Sequence, residues 1–102
     1  MDLKQYQAAV LDGLLTKPGV ETLPHIALGL AGEAGEIADL IKKSQYRGRE
    51  LDINRLLEEL GDSLWYIAYL AGYLGFTLEE VASLNYEKLS ERHPAVYPRA
   101  VL

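Results

Sequence analysis

Two pairs of acidic residues near the middle of this chain have the types and the spacing that metal chemistry requires. Glu33 and Glu36 are three positions apart, as are Glu59 and Asp62. On a helix, this spacing brings the Cβ atoms of a pair within roughly 5–6 Å on one face. Both pairs border apolar positions that must pack on other helices, where an unpaired carboxylate is costly. The pattern favours Mg²⁺ bound among the four oxygen ligands over the alternative, solvated acids paired with Lys or Arg.

A set of polar residues near the end of the chain has the chemistry to bind phosphate. Asn85, Lys88 and Arg92 follow each other at steps of three and four, so they share one face of a helix. Arg is a good bidentate partner of phosphate, and these residues suit a polyphosphate if they lie near the metal site. Taken alone, the motif favours a solvated face with salt bridges to Glu87 or Glu91.

Other candidate site residues flank the acid pairs. Trp65 and Tyr66 follow Asp62 by three and four positions and can stack on a base, although such aromatic residues more often belong to the core. Glu58 precedes Asp62 by four positions and faces the same way. Lys43 can reach a phosphate, but its simpler role is to complement the dipole at a helix C-terminus.

The elements that position these residues are four predicted helices, with no predicted strand. Apolar residues at steps of three and four, together with capping residues, predict helices over about 3–15, 24–44, 52–74 and 77–92. Lys17-Pro18-Gly19 breaks the first helix, and Thr77 and Glu80 have the spacing of a capping box. Short connections between amphipathic helices predict an antiparallel four-helix bundle.

Three glycines, Gly29, Gly32 and Gly35, repeat every three positions within the second predicted helix. Each costs up to about 1 kcal/mol relative to alanine, so they indicate close approach of another helix or of a ligand, with helix packing the favoured reason. The third predicted helix carries an apolar stripe formed by Leu56, Leu60, Leu64, Ile67 and Ala71.

Composition narrows the class of protein. The 102 residues have a globular composition, and we expect one domain over residues 1–102. The absence of cysteine excludes disulfides and thiol nucleophiles. The net charge of −5 argues against a nucleic-acid partner, since such proteins usually present a basic face. We expect a cytoplasmic protein, because no signal peptide and no apolar run of about 20 residues is present.

Taken together, the motifs resemble the MazG-like all-α nucleoside triphosphate pyrophosphohydrolases. The resemblance covers about residues 23–94 and rests on the runs GLAGEAGEI, EELGDSLWY and NYEKLSERHP. It implies hydrolysis of (deoxy)nucleoside triphosphates, in which a metal-activated water attacks the α-phosphate and yields nucleoside monophosphate and pyrophosphate. It also implies Mg²⁺, with Mn²⁺ as a substitute, held by Glu33, Glu36, Glu59 and Asp62.

The resemblance further implies roles for the remaining candidates and for a second subunit. Lys88 and Arg92 correspond to residues that hold the polyphosphate, and Asn85 to one that touches the nucleoside. A spare carboxylate, Glu36 or Glu58, is expected to accept the proton of the attacking water. Related enzymes complete the site from at least two subunits, which predicts a homodimer or homotetramer.

Three other interpretations remain open. The chain can be a non-catalytic regulatory dimer that binds nucleotide and metal, a purely structural helical bundle, or a related pyrophosphohydrolase that acts on another nucleotide such as phosphoribosyl-ATP. Release of pyrophosphate separates the enzymes from the first two, and metal-dependent stabilisation separates the binder from the structural bundle.

Overall fold

A computed structural model describes residues 1–15 and 23–99. These residues form four α-helices and no strand: α1 (Leu3–Leu15), α2 (Leu23–Tyr46), α3 (Ile53–Tyr73) and α4 (Leu78–Arg92). The all-helical prediction is confirmed, and the helix ends lie close to those predicted. The predicted break at Lys17-Pro18-Gly19 lies outside the described residues.

Capping residues define where α3 and α4 begin. The side chain of Asp52 accepts a hydrogen bond from the backbone N–H of Arg55 at 3.0 Å, which satisfies one free donor of the first turn of α3. Thr77 and Glu80 form the predicted capping box, with backbone N–H to side-chain distances of 3.0 Å in both directions. Between the two helices, Gly75 has a φ of 87°, a left-handed conformation that glycine adopts without strain.

Helix α3 is the central element, because each of the other three helices packs on it. Gly29 of α2 lies against Tyr66 of α3. Further along α2, Glu36 lies beside Arg55 near the start of α3. Positions therefore rise along α2 while they fall along α3, so the two helices form an antiparallel hairpin, as the sequence predicted.

The buried core is small and lies where α1, α2 and α4 meet α3. Its members are Val10, Ile26, Ala68, Tyr69 and Leu78. The predicted apolar stripe of α3 does not face this core throughout: Leu60 is 49% exposed and Ile67 is 39% exposed. The core face of α3 carries Ala68 and Tyr69 together with Ala71, a member of the predicted stripe.

Gln7 joins α1 to the α3–α4 turn through buried hydrogen bonds. Its side-chain nitrogen donates to the carbonyl oxygens of Ala68 and Phe76 at 3.1 and 3.0 Å. Its side-chain oxygen accepts from the backbone N–H of Leu78 at 3.1 Å, a free donor at the start of α4. A single amide thereby holds three elements together, and nothing in the local pattern of α1 indicated this.

Candidate metal and nucleotide site

Three of the four predicted metal ligands meet where α2 packs on α3. One carboxylate oxygen from each of Glu33, Glu59 and Asp62 lies within 4.8 Å of the others. Glu59 and Asp62 come from one turn of α3, and Glu33 faces them from the antiparallel α2. The sequence pattern favoured one cation bound among all four acids, and the geometry of the hairpin brings three of them together.

The electrostatics of this cluster are those of acids held close together. The pKa of Glu33 is raised from 4.5 to about 7. The largest cause is a hydrogen bond with the Glu59 carboxyl group, followed by burial and by the negative charges of Glu59, Asp62 and Glu36. Within the described chain, Oε2 of Glu33 is buried and has no hydrogen-bond partner.

This donor set fits a hard divalent cation. Carboxylate oxygens are the ligands that Mg²⁺ prefers, and a buried polar atom without a partner is costly unless a ligand satisfies it. Glu33, Glu59 and Asp62 therefore have both the chemistry and the grouping that a metal ion requires.

Glu36, the fourth predicted ligand, lies beside the cluster rather than in it. Its Oε2 atom is 3.9 Å from Nη2 of Arg55, and its side chain is 54% exposed. Arg55 also approaches Glu59, with 3.7 Å between Nε and Oε1. Sequence reasoning did not single out Arg55, although its spacing of four positions before Glu59 is that of a helical ion pair. Metal ligation by Glu36 stays a prediction.

An open cavity of about 410 Å³ adjoins the acids and is lined by Glu33, Asp62, Trp65 and Tyr66. This volume lies within the roughly 300–1,000 Å³ that is usual for small-molecule sites. The rings of Trp65 and Tyr66 meet edge to face, with centroids 5.2 Å apart. Both predicted aromatic residues therefore lie beside the acids, while their other contacts belong to the core.

Because residue 29 is a glycine, the ring of Tyr66 can lie at this cavity. A Cβ atom at position 29 would overlap the ring, with the hydroxyl oxygen of Tyr66 only 2.7 Å away. The prediction of close helix packing is thus confirmed for Gly29. Gly32 and Gly35 have no such neighbour within 4 Å of a Cβ atom, so packing among residues 1–15 and 23–99 does not require them.

Helix α1 reaches the site through Tyr6. Burial raises the pKa of the Tyr6 hydroxyl group, and the negative charge of Asp62 raises it further. Tyr6 also packs against the buried core. The sequence of α1 carried no recognisable motif, so this approach emerges only from the fold.

The predicted phosphate-binding residues are not brought to the acids by the described contacts. Asn85, Lys88 and Arg92 are exposed on α4, which packs on α1 and α3. Lys88 and Arg92 form no ion pair with a described residue, and Glu91 instead lies 3.4 Å from Arg99. Their role in binding stays a prediction.

Lys43 and Glu58 complete the predicted set. Nζ of Lys43 lies 2.7 Å from Oδ2 of Asp39, in the last turns of α2. This hydrogen bond is the largest cause that lowers the pKa of Asp39. Lys43 is thus engaged by an acid of its own helix, beside a helix C-terminus that favours a cation. Glu58 is exposed on α3, and no contact defines a role for it.

Comparison with known proteins identifies related sequences. A profile of the MazG nucleotide pyrophosphohydrolase domain matches residues 21–97. Gene 37 protein of Mycobacterium phage L5 is 39% identical over an alignment of 102 positions, which covers 90% of this chain and 89% of that protein. Uncharacterized protein YvdC of Bacillus subtilis (strain 168) is 37% identical over 79 residues, which cover 68% of this chain and 74% of that protein. No solved structure shows a significant match.

Proposed function

Since the chain belongs to the MazG nucleotide pyrophosphohydrolase domain family, we propose that it hydrolyses (deoxy)nucleoside triphosphates to nucleoside monophosphate and pyrophosphate in a Mg²⁺-dependent reaction. One observation carries the proposal: the carboxylate oxygens of Glu33, Glu59 and Asp62 converge within 4.8 Å at the edge of an aromatic-lined cavity of about 410 Å³. The cavity is the right size for a nucleotide, and the acids suit the cation that a triphosphate brings with it.

Glu33, Glu59 and Asp62 are the residues that would hold Mg²⁺, or Mn²⁺ in its place, with Glu36 as the proposed fourth ligand. When bound, a divalent cation neutralises phosphate charge and makes water a stronger nucleophile. The Oε2 atom of Glu33 supports its assignment as a metal ligand, since this atom is buried and accepts no hydrogen bond from the described residues.

The remaining residues position the substrate and move a proton. Water adds its oxygen to the α-phosphorus, the bond from that phosphorus to the α–β bridging oxygen breaks, and pyrophosphate leaves. The proton of the water goes to a carboxylate, for which Glu36 and Glu58 are the candidates. Trp65 and Tyr66 line the cavity where a base can stack.

Phosphate binding is assigned to Lys43, Lys88 and Arg92, and nucleoside contact to Asn85. No described contact links the three α4 residues to the acids of the same protomer, so we propose that a second copy of the chain completes the site.

Self-association is supported by a large exposed surface. The chain exposes 7578 Å², whereas a compact monomer of its mass exposes about 5,700 Å². The difference exceeds the roughly 800 Å² that each partner buries in a standard interface. The Cα radius of gyration, 16.5 Å, is also larger than the approximately 13 Å of a compact domain of this length.

A stripe along α3 provides the surface for a second copy. We define the α3 stripe by apolar residues at alternating steps of four and three: Ile53, Leu57, Leu60, Leu64 and Ile67. Four of the five are between 39% and 60% exposed. This is the 3.5-residue repeat of a helix that pairs with another helix, and it lies on the side of α3 away from Glu59 and Asp62. A homodimer, or a dimer of dimers, would cover it.

To test the proposal, each common ribo- and deoxyribonucleoside triphosphate is incubated with the protein, with and without Mg²⁺. At least one of them should yield pyrophosphate and matching monophosphate, and only when Mg²⁺ is present. Asp62→Asn should lower this activity by at least 100-fold, because it removes a ligand charge, while Asp12→Asn on exposed α1 should leave it unchanged. Pyrophosphate and orthophosphate are measured separately, and circular dichroism checks that both variants stay helical.

Two results would redirect the assignment. Activity on phosphoribosyl-ATP alone would keep the reaction and change the substrate. Nucleotide and Mg²⁺ binding without any product would identify a non-catalytic regulatory binder.

Among the described residues, none of the four helices has the length and hydropathy of a membrane span. A cytoplasmic location and the lack of a nucleic-acid partner stay predictions.

A further inference from the structure

Arg55 occupies a position in the acid cluster that the proposed reaction does not explain. It lies in the first turn of α3, four positions before Glu59, and the Asp52 cap fixes its backbone N–H at 3.0 Å. Its guanidinium group spans the hairpin, with Nε 3.7 Å from Oε1 of Glu59 on α3 and Nη2 3.9 Å from Oε2 of Glu36 on α2. Over residues 1–15 and 23–99, no other cation forms an ion pair with Glu33, Glu36, Glu59 or Asp62.

The contacts of Arg55 are those of an exchangeable ion pair rather than a permanent one. Charge-assisted hydrogen bonds between nitrogen and oxygen are typically about 2.7–2.9 Å long, and both distances here are longer. The Arg55 side chain is 54% exposed, so water solvates it readily when it leaves. Glu59, in contrast, is 12% exposed at its side chain and contributes an oxygen to the three-acid cluster.

We propose that Arg55 is an internal counter-ion that competes with the divalent cation for Glu59 and Glu36. A guanidinium group and a metal ion are both attracted by the negative potential of these carboxylates. Because Arg55 neutralises part of that potential, a metal ion is attracted less strongly while Arg55 is in place. Arg55 therefore stabilises the acid cluster in the absence of metal and lowers its affinity for metal. This inference rests on the proposed function, because it takes the acid cluster to be a divalent-cation site.

Competition predicts a gain of metal affinity on removal of the Arg55 charge. Arg55→Gln should bind Mg²⁺ alone, without nucleotide, roughly two- to fivefold more tightly than the wild type, a range that half-exposed ion pairs support. Arg55→Lys keeps the positive charge and should stay near the wild-type affinity. The matched control is Arg99→Gln, which removes an exposed ion pair between Arg99 and Glu91 of α4. No described contact joins this ion pair to the acid cluster.

Isothermal titration calorimetry of the full-length protein measures these affinities, and circular dichroism confirms that each variant is folded. A structural role for Arg55 predicts equal or weaker binding in Arg55→Gln, so either result overturns the proposal. An equal gain in Arg99→Gln also overturns it, as does the absence of Mg²⁺ binding in the wild type and in Arg55→Gln alike. Binding by Arg55→Gln but not by the wild type supports it. Pyrophosphate release in the presence of nucleotide tests the proposed function separately.

Discussion

At the scale of single residues, the carboxyl group of Glu33 illustrates what the fold does to an ordinary acid. Helix α2 holds it against Glu59 and Asp62, and in the described chain it has no cation of its own within ion-pair distance. Its pKa is raised to about 7, first by the hydrogen bond with Glu59 and then by burial and neighbouring charge. Protonation of Glu33 therefore reduces the repulsion among the three acids.

This shift predicts how stability depends on pH in the presence of a chelator. Between pH 4.5, the ordinary pKa of the group, and about pH 7, the folded state keeps a proton that the unfolded state has lost. The folded state then binds more protons, so its free energy of unfolding falls as pH rises through this window. Glu33→Gln is neutral throughout and should reduce this loss. Urea denaturation at several pH values measures the effect.

Glu50→Gln, in the exposed connection between α2 and α3, is the control and should retain the wild-type pH dependence. Addition of Mg²⁺ near pH 8 should restore the stability of the wild type more than that of Glu33→Gln. An identical pH dependence in the wild type and in Glu33→Gln would contradict the cause assigned to Glu33.

At the scale of elements, the α2–α3 hairpin brings the acids and the aromatic residues to one place. Gly29 lets the ring of Tyr66 lie directly on α2, and Tyr66 lines the cavity beside Glu33. Gly32 belongs to the same run of glycines but has open space where a Cβ atom would be placed. The two glycines therefore have different reasons to be present, although their sequence context is nearly the same.

A matched pair of substitutions separates these reasons. Gly29→Ala should lower the free energy of unfolding by about 1–3 kcal/mol, since the methyl group forces the Tyr66 ring to shift. Gly32→Ala should raise it by up to about 1 kcal/mol, because alanine favours a helix and its methyl group meets none of the described residues. Chemical denaturation measures both, and nucleotide hydrolysis should fall more in Gly29→Ala. Equal destabilisation by the two changes would show that Gly32 is also packed, for instance against a second copy.

At the scale of the whole molecule, the protomer buries a small core and leaves many large apolar side chains exposed. The α3 stripe faces away from the acids, and its repeat is that of a helix with a partner. Large apolar side chains exposed along one face of a helix are typical of an interaction site, which is what we propose for the α3 stripe. A second copy fits the proposal best, because it would also supply the α4 residues that no described contact brings to the acids.

Self-association through the α3 stripe predicts the effect of placing a charge in it. Leu60→Glu should convert an oligomer into smaller species at micromolar concentration, since the interface would have to bury an unpaired carboxylate. Leu28→Glu is the control, because Leu28 is 74% exposed on α2 and outside the stripe. Analytical ultracentrifugation measures the mass of both. A monomeric wild type would exclude self-association. An unchanged oligomer in Leu60→Glu would place the contact outside the α3 stripe.

Features that depend on neighbouring positions in the chain could be predicted from the sequence. Helical spacing and capping are local, so the four helices and the Thr77–Glu80 capping box were predicted close to where they occur. The same local logic placed each acid pair on one helical face. The three sequence motifs that resemble the MazG family then indicated the expected reaction, since they combine residue types at fixed spacing.

Which of these residues meet could not be predicted in this way, because it depends on how the helices pack. The crossing of α2 and α3 brings Glu33 to Glu59 and Asp62 and leaves Glu36 with Arg55. It also carries Tyr6 from a helix without a motif to the vicinity of Asp62. Such contacts join residues far apart in the chain, and they depend on the angle and depth of helix packing. Spacing along one helix carries no information about either quantity.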